Sequence, residues 1–307
     1  MNSLFVAFSN SIIALGMCII AGYFCRRTRM LTDVHTSGFA ALLIKVTLPC
    51  TIIVSFMRPF SRELLFESLA TFFITGVIYI FGGYLGLFLS KIMGATPGER
   101  QSWSFGVAFG NIAFMGIPVV MAVFGEDGLI YVSMAMASFN LVAFTHGVRM
   151  FDDAPKEINL KSLFRHNPAL VAVVIGIVFF VTGLRLPMAF EGGFVLIGSL
   201  TTPVSMIFIG MLLAKQRLKD ALMDFRVLPY VGIRLVVIPL AVFFVLQWFV
   251  PNPLMLNVIV TLMAMPVAAM TAIFAEQYNA DAVAAAKIVV VSTVLCVVTV
   301  PLIALLF

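Results

Sequence analysis

Charged residues are scarce in this sequence. Asp, Glu, Lys and Arg together make up 11% of the 307 residues, and 62% of the residues are hydrophobic. Soluble domains contain about 25% charged and about 45–50% apolar residues. A chain with so few charges cannot cover itself with a charged surface, which excludes an ordinary water-soluble protein. The composition predicts an integral membrane protein that is surrounded by the lipid bilayer.

The residue patterns of common active sites are missing as well. The four cysteines have neither CxxC nor metal-ligand spacing, and the three histidines occur in no HExxH motif. The sequence also lacks GxSxG and Walker A motifs. We therefore expect no enzyme activity, no metal and no cofactor. The net charge of +5 falls mainly in short loops, where it indicates membrane topology rather than binding to nucleic acid.

Ten apolar segments are long enough to cross a bilayer, which takes about 20 residues as a helix. Short polar turns separate two close pairs of segments, residues 125–127 (GED) between the fourth and fifth and residues 251–253 (PNP) between the eighth and ninth. We expect the first segment to be a spanning helix, because it is too long for a cleavable signal peptide. The predicted spans are 4–25, 38–57, 68–90, 102–124, 128–148, 168–186, 191–213, 227–249, 254–275 and 282–306.

Basic residues are strongly biased to one side of these spans. Loops after odd-numbered spans contain thirteen Lys and Arg residues, whereas loops after even-numbered spans contain three when Arg185 at the end of span six is included. Because short cytoplasmic loops are enriched in Lys and Arg, the odd-numbered loops are predicted to be cytoplasmic. Both termini are then extracytoplasmic, and we expect a multi-pass protein of the cell inner membrane.

The longest loop divides the spans into two sets of five. It comprises residues 149–167 and is predicted to be a cytoplasmic linker between residues 1–148 and residues 168–307. Because each set has an odd number of spans, the second enters the membrane in the opposite sense to the first. Such inverted repeats are common in secondary transporters. The predicted fold is therefore all-α, with ten transmembrane helices in two inverted five-helix repeats.

Prolines at matching positions support the repeat. Pro49 in span two and Pro203 in span seven lie about half a chain apart, as do Pro118 in span four and Pro266 in span nine. Proline removes a backbone donor and disturbs the preceding turn, so spans four and nine are predicted to be broken crossover helices. A helix beginning at each of these last two prolines would point its positive end at mid-membrane, where an anion can bind. Ordinary proline kinks packed by small residues are the alternative interpretation.

Span four also carries a family resemblance. Residues 111–118 read NIAFMGIP, which resembles the fourth-helix motif of the auxin efflux carrier family. Pro49, Pro266 and residues 278–281 (YNAD) are similar to other features of that family. The family includes plant auxin exporters and bacterial carriers assigned to malonate or malate. The resemblance covers nearly the whole chain and implies two crossed broken helices, together with a scaffold part and a panel part.

The resemblance further implies where a substrate binds. In plant members the substrate carboxylate lies near the crossover prolines and is held by asparagine amides, and Asn111 matches such a position. Span nine departs from the pattern, because residues 262–265 (LMAM) include no asparagine before Pro266. The candidate substrate-binding residues are Asn111, Gly116, Pro118, Met265, Pro266 and Val267. The candidate residues for support of the site or for ion coupling are Lys45, Pro49, Asn140 and Lys287.

Besides Arg185 at the end of span six, three basic residues lie inside predicted spans, where ionisable groups are rare. Lys45 and Lys287 have two open interpretations: part of the site, or a structural role such as snorkelling to the membrane surface. Arg234 is interpreted as a snorkelling or scaffold-pairing residue. No predicted span has an acidic residue near its centre, and span five has none at all, which argues against a cation exchanger.

These features predict a secondary carrier that moves a small organic anion, such as malonate, malate or an auxin-like acid, by alternating access. The sequence leaves open a coupling proton or sodium ion and the formation of a homodimer. A passive channel, a membrane sensor and an ion-coupled carrier of another solute are the alternatives.

Overall fold

The computed structural model describes residues 3–151, 167–215 and 224–307. Every regular element in these ranges is a helix, and the one β contact there is an isolated bridge between Gly110 and Val267. The prediction of an all-α membrane protein is confirmed. The helices are α1 (Ser3–Arg27), α2 (Asp33–Phe56), α3 (Arg62–Ile92), α4 (Pro97–Ala108), α5 (Ile112–Gly147), α6 (Pro168–Thr182), α7 (Met188–Ser199), α8 (Thr201–Lys215), α9 (Val227–Leu246), α10 (Pro253–Met263), α11 (Met270–Gln277) and α12 (Ala282–Ile303).

Six helical stretches of the described chain are long and apolar enough to cross a membrane. They are α2, α3, α5, the pair α7 and α8 taken as one stretch, α9, and α12 together with the short turn after it. The shorter helices α6 and α10 are also apolar. On α3, Phe66, Phe73, Phe81 and Phe88 are all exposed and recur about every two turns along one side. Such an apolar stripe is unfavourable in water and suits contact with lipid.

Helix α5 reverses direction at Gly125. This residue adopts φ 66° and ψ −159°, a conformation that glycine tolerates because it has no Cβ. A Cβ placed on Gly128 would lie 2.6 Å from Cγ1 of Val120. Residues eight apart in a straight helix are separated by about 12 Å, so the chain must turn back here. The sequence predicts the turn between spans four and five at this position.

The helices form two packed groups. In the first group α1 lies along α8, and α2 packs on α6 and α7. In the second group α3 lies against α4 and α5, α10 packs on α5, α11 and α12 pack on α4, and α9 packs on α10 and α12. The groups meet mainly where α5 contacts α1, α2, α6 and α8.

Prolines shape the helices in two different ways. Pro49 lies inside α2 and follows a π-helical turn over Leu43–Thr47, and Pro239 in α9 follows a π-helical turn over Ile233–Val237. The wider turn accommodates the missing N–H and the bulk of the ring, so both helices continue past the proline. Pro203, the predicted counterpart of Pro49, lies instead in the first turn of α8.

The helix ends gather at two opposite faces. At one face Arg226, before α9, forms an ion pair of 2.9 Å with Glu99 at the start of α4. At the other face Arg58, after α2, forms an ion pair of 3.2 Å with Asp127 in the turn of α5. We call the first of these the basic face, because its helix ends border the loops that are rich in Lys and Arg.

Candidate functional site

The breaks of the two predicted crossover spans lie against each other. One break separates α4 from α5, and the other separates α10 from α11. The Asn111 N–H donates to the Pro266 oxygen at 2.7 Å, and the Ala268 N–H donates to the Phe109 oxygen at 3.0 Å. These bonds form a short antiparallel pair within the second group. Two of the backbone N–H groups released by the helix breaks are thereby satisfied inside the protein, as a membrane interior requires.

The new helix after the first break does not begin at Pro118. It begins at Ile112, and the N-cap is Asn111, whose side-chain oxygen accepts a hydrogen bond from the Phe114 N–H at 3.2 Å. Pro118 lies in the second turn and is buried together with Gly116. The prediction that the positive helix end lies at Pro118 is therefore wrong, because an asparagine cap ends the break earlier than the proline does.

The residues around Pro266 are buried, and the backbone N–H that follows this proline already has a hydrogen-bond partner. Met265, Pro266 and Val267 are enclosed, and the Val267 N–H donates to the Ser292 hydroxyl at 3.0 Å. Helix α11 begins only at Met270. The predicted free donor directly after Pro266 is thus taken by α12, and the N–H groups at the start of α11 lie three residues further on.

A cavity of about 470 Å³ extends from the breaks towards the basic face, between the two groups of helices. This size is typical of a pocket for a small molecule. Within the described chain its lining includes no Asp, Glu, Lys or Arg side chain. Its aromatic lining residues are Phe114, Phe139, Phe144 and Phe208. Its polar side chains are Asn111, Asn140, Asn167 and Thr293.

Hydrogen-bond donors meet at the inner end of this cavity. Because the Asn111 Oδ1 accepts from the helix backbone, its NH2 group is left to donate, and it has no partner among the described residues. The N–H groups of Ala113, Ala269 and Met270 also make no hydrogen bond within the described chain, and all three residues line the cavity. Ala113 and Met270 lie in the first turns of α5 and α11, and Ala269 is the N-cap of α11; a helix carries partial positive charge at this end.

Asn140 has a structural role at the side of the cavity. Its NH2 group donates to the Met136 oxygen at 2.8 Å, and its Oδ1 accepts from the Asn167 NH2 group at 2.8 Å. Asn167 caps α6 by accepting from the Leu170 N–H at 3.3 Å. The pair joins the second group to the first. Sequence reasoning missed Asn167, although an asparagine directly before Pro168 is a typical helix N-cap.

Comparison with protein families decides the general class of the chain. A family model described as "Membrane transport protein" matches residues 7–165 and 157–304. The chain belongs to this family, that of the auxin efflux carriers. An uncharacterized transporter of Methanocaldococcus jannaschii is 25% identical to it over 86% of this chain and 87% of its own. The uncharacterized transporter YfdV of Escherichia coli is 22% identical over 96% of both chains. The resemblance seen in span four is confirmed.

The two candidate lysines of the transporter lie outside the cavity lining. Lys45 is exposed on the π-helical turn before Pro49, and Pro49 is half-buried beside it. Lys287 pairs with Asp224 at 3.4 Å, and Asp224 also pairs with Arg226 at 3.4 Å. Burial alone would raise the pKa of Asp224, but hydrogen bonds from Arg226 and Lys287 outweigh it and lower the pKa below its usual value. Lys287 therefore contributes to an ion cluster on the basic face.

Arg234 of the transporter is fully buried, so the snorkelling interpretation is wrong. Its side chain is 1% exposed and donates a hydrogen bond to the Met263 oxygen at the end of α10. The Nε and Nη2 atoms have no hydrogen-bond partner within the described residues. A Cβ on Gly110 would overlap with Nη2, which places the guanidinium against the break between α4 and α5.

Proposed function

We propose that this transporter is a secondary carrier that moves a small organic anion by alternating access. The observation that carries the proposal is the group of unoccupied donors at the inner end of a mostly apolar cavity. Amide and helix N-terminal N–H groups stabilise an anion and offer nothing to a cation. A carboxylate bound beside Asn111 would receive partners that it needs on leaving water.

The proposal includes ten transmembrane helices in two inverted repeats, residues 1–148 and 168–307. The two hydrogen bonds at the breaks join spans four and nine in the antiparallel sense at the Gly110–Val267 bridge, which is consistent with crossover helices of inverted repeats. The described segments of α2 and α8 that carry Pro49 and Pro203 are also in contact. The hydroxyls of Thr51 and Thr201 are 2.9 Å apart there.

The conformation supports an inward-facing carrier. The cavity leads to the basic face, which the positive-inside rule assigns to the cytoplasm. Near the opposite face the two groups of helices are joined by a hydrogen bond of 2.8 Å between the hydroxyls of Ser55 and Ser133, and by the Arg58–Asp127 ion pair. In alternating access these contacts would break while the cavity closes.

The first prediction concerns topology. We expect both termini outside the cytoplasm and residues 149–167 inside it, because thirteen Lys and Arg residues lie in the odd-numbered loops and three in the even-numbered ones. Residues 152–166 of this linker lie outside the described residues. Single cysteines introduced after Phe307 and in the linker, in a chain without native cysteines, would be tested with a membrane-impermeant maleimide in intact cells. Labelling of the linker cysteine but not of the C-terminal cysteine would contradict the predicted orientation.

The second prediction concerns the substrate. We expect a monocarboxylate with an apolar body, such as phenylacetate, to be transported in preference to malonate or malate. The donors can hold one carboxylate, whereas a second would face an apolar wall that has no Lys or Arg in its described part. Desolvating an unpaired carboxylate costs several kcal/mol, so the dicarboxylates should bind about 100-fold more weakly or worse.

Uptake of radiolabelled acids into proteoliposomes, with and without an imposed proton or sodium gradient, tests both the function and the preference. Empty liposomes are the control. Saturable uptake that is accelerated by substrate on the opposite side identifies a carrier, and linear uptake without such acceleration would instead identify a channel. Transport of cations alone would contradict the proposed function, and a preference for malonate would contradict only the second prediction.

A further inference from the structure

Arg234 is a buried cation that the proposed site does not yet use. One of its guanidinium nitrogens, Nη1, donates to the Met263 oxygen, and two have no hydrogen-bond partner within the described residues. Tyr79 and Tyr230 are close enough to interact with it electrostatically, but both are neutral phenols near pH 7. The Tyr230 hydroxyl donates to the Trp103 oxygen at 2.7 Å, so it too is engaged elsewhere.

A guanidinium in this position needs a counter-charge. Burying an unpaired charge is costly, and a fully buried arginine normally pairs with a carboxylate. No Asp or Glu of the described chain forms an ion pair with Arg234. The negative end of α10 at Met263 compensates the charge only in part. Positive charge therefore remains at mid-protein without an acidic partner in the described residues.

The uncompensated charge lies directly behind the cavity wall. Gly110 lines the cavity beside Asn111, and the Arg234 Nη2 atom lies on Gly110 at the position that a Cβ would take. The guanidinium and the unoccupied donors are thus on two sides of one backbone segment. An anion at the inner end of the cavity would feel the guanidinium without touching it.

We propose that Arg234 is the fixed counter-charge of the bound carboxylate, and that it sets the preference of the site for anions over neutral solutes. This inference rests on the proposed function, since it requires a carboxylate at the donors near Asn111. Arg234 is a positioning residue in this scheme, because it acts on the substrate through its electric field. The close packing of Nη2 on Gly110 explains why a glycine stands at position 110, where any side chain would displace the guanidinium.

The test compares a carboxylate with its uncharged amide. The probe is whichever of phenylacetate and malonate the parent protein binds, paired with phenylacetamide or malonamide, and binding to purified full-length protein is measured by calorimetry. Arg234→Gln removes the charge and keeps a donor for the Met263 oxygen, whereas Arg234→Lys keeps the charge. Arg27→Gln makes the same change of charge at an exposed helix end and is the matched control.

We expect Arg234→Gln to lose affinity for the carboxylate and to bind the amide as the parent does. A unit charge about 8–12 Å from the carboxylate, at an effective dielectric constant of about 20, accounts for roughly a 10- to 30-fold loss. Arg234→Lys should retain most of the affinity, and Arg27→Gln all of it. An equal loss for the acid and the amide, or no loss for the acid, would overturn the inference.

A second pair of variants keeps the test decisive if Arg234→Gln does not fold. Tyr79→Glu places a carboxylate beside Arg234 and neutralises the charge of the guanidinium. Tyr79→Gln introduces a side chain of the same size as glutamate but without the charge. The Glu variant should bind the carboxylate more weakly than the Gln variant, and equal binding would overturn the inference. If the parent binds none of the acids, the proposed function itself fails, and this is seen before any variant is compared.

Discussion

Asn111→Ala is expected to weaken binding of the substrate carboxylate about 10- to 150-fold, since a hydrogen bond to a charged group contributes about 1.5–3 kcal/mol. Asn111→Asp should weaken it further, because it places a negative charge beside the anion. The comparison is sharp because aspartate caps a helix as well as asparagine does, so the start of α5 is preserved. Titration of the purified variants with the best acid from the uptake panel measures the effect.

Two control variants separate recognition from folding in this series. Asn111→Ser keeps the cap on α5 but removes the amide donors, so it should resemble Asn111→Ala in binding and the parent in thermal stability. Asn279→Asp introduces the same charge at an exposed loop position and should bind normally. If Asn111→Asp binds the acid as tightly as the parent does, the amide does not contact the substrate and the site model is wrong.

Replacement of Gly22 or Gly210 by valine is expected to destabilise the folded protein by about 3 kcal/mol or more, at the upper end of overpacking effects. A Cβ on Gly22 would overlap with the Ile207 backbone oxygen, and one on Gly210 would overlap with the Ile19 backbone oxygen. The two glycines thus let α1 and α8 approach closely, as small residues do between membrane helices. Backbone cannot move aside as a flexible side chain can, so the helices would have to separate.

Size-exclusion chromatography after a heating series measures this loss as a lower melting temperature or a missing monodisperse peak. The matched control is Gly38→Val in α2, where a Cβ would meet no atom within 4 Å. It should leave the melting temperature nearly unchanged. A normal melting temperature for Gly22→Val would show that α1 and α8 are not held together at this point.

The sequence by itself determines the class of this protein and its family. Apolar runs, the Lys and Arg bias of the loops and the motif at residues 111–118 are local properties of the chain, so they are readable without a fold. The breaks in the two predicted crossover spans were also expected from the sequence, because Pro118 and Pro266 lie in or close to them, although Pro49 and Pro239 stay inside continuous helices. Asn111 was predicted as a site residue, and the structure places it at the inner end of the cavity.

Only the tertiary structure decides which polar groups are free. The Val267 N–H is occupied by Ser292, and the Asn140 amide is occupied by Met136 and Asn167, all through contacts that a linear pattern does not display. Burial is likewise a property of the assembled helices. Arg234 is a long basic residue close enough to the end of its predicted span to snorkel. Packing of α9 against the broken helices nevertheless encloses it. A side chain can reach the membrane surface only where no neighbouring helix covers it.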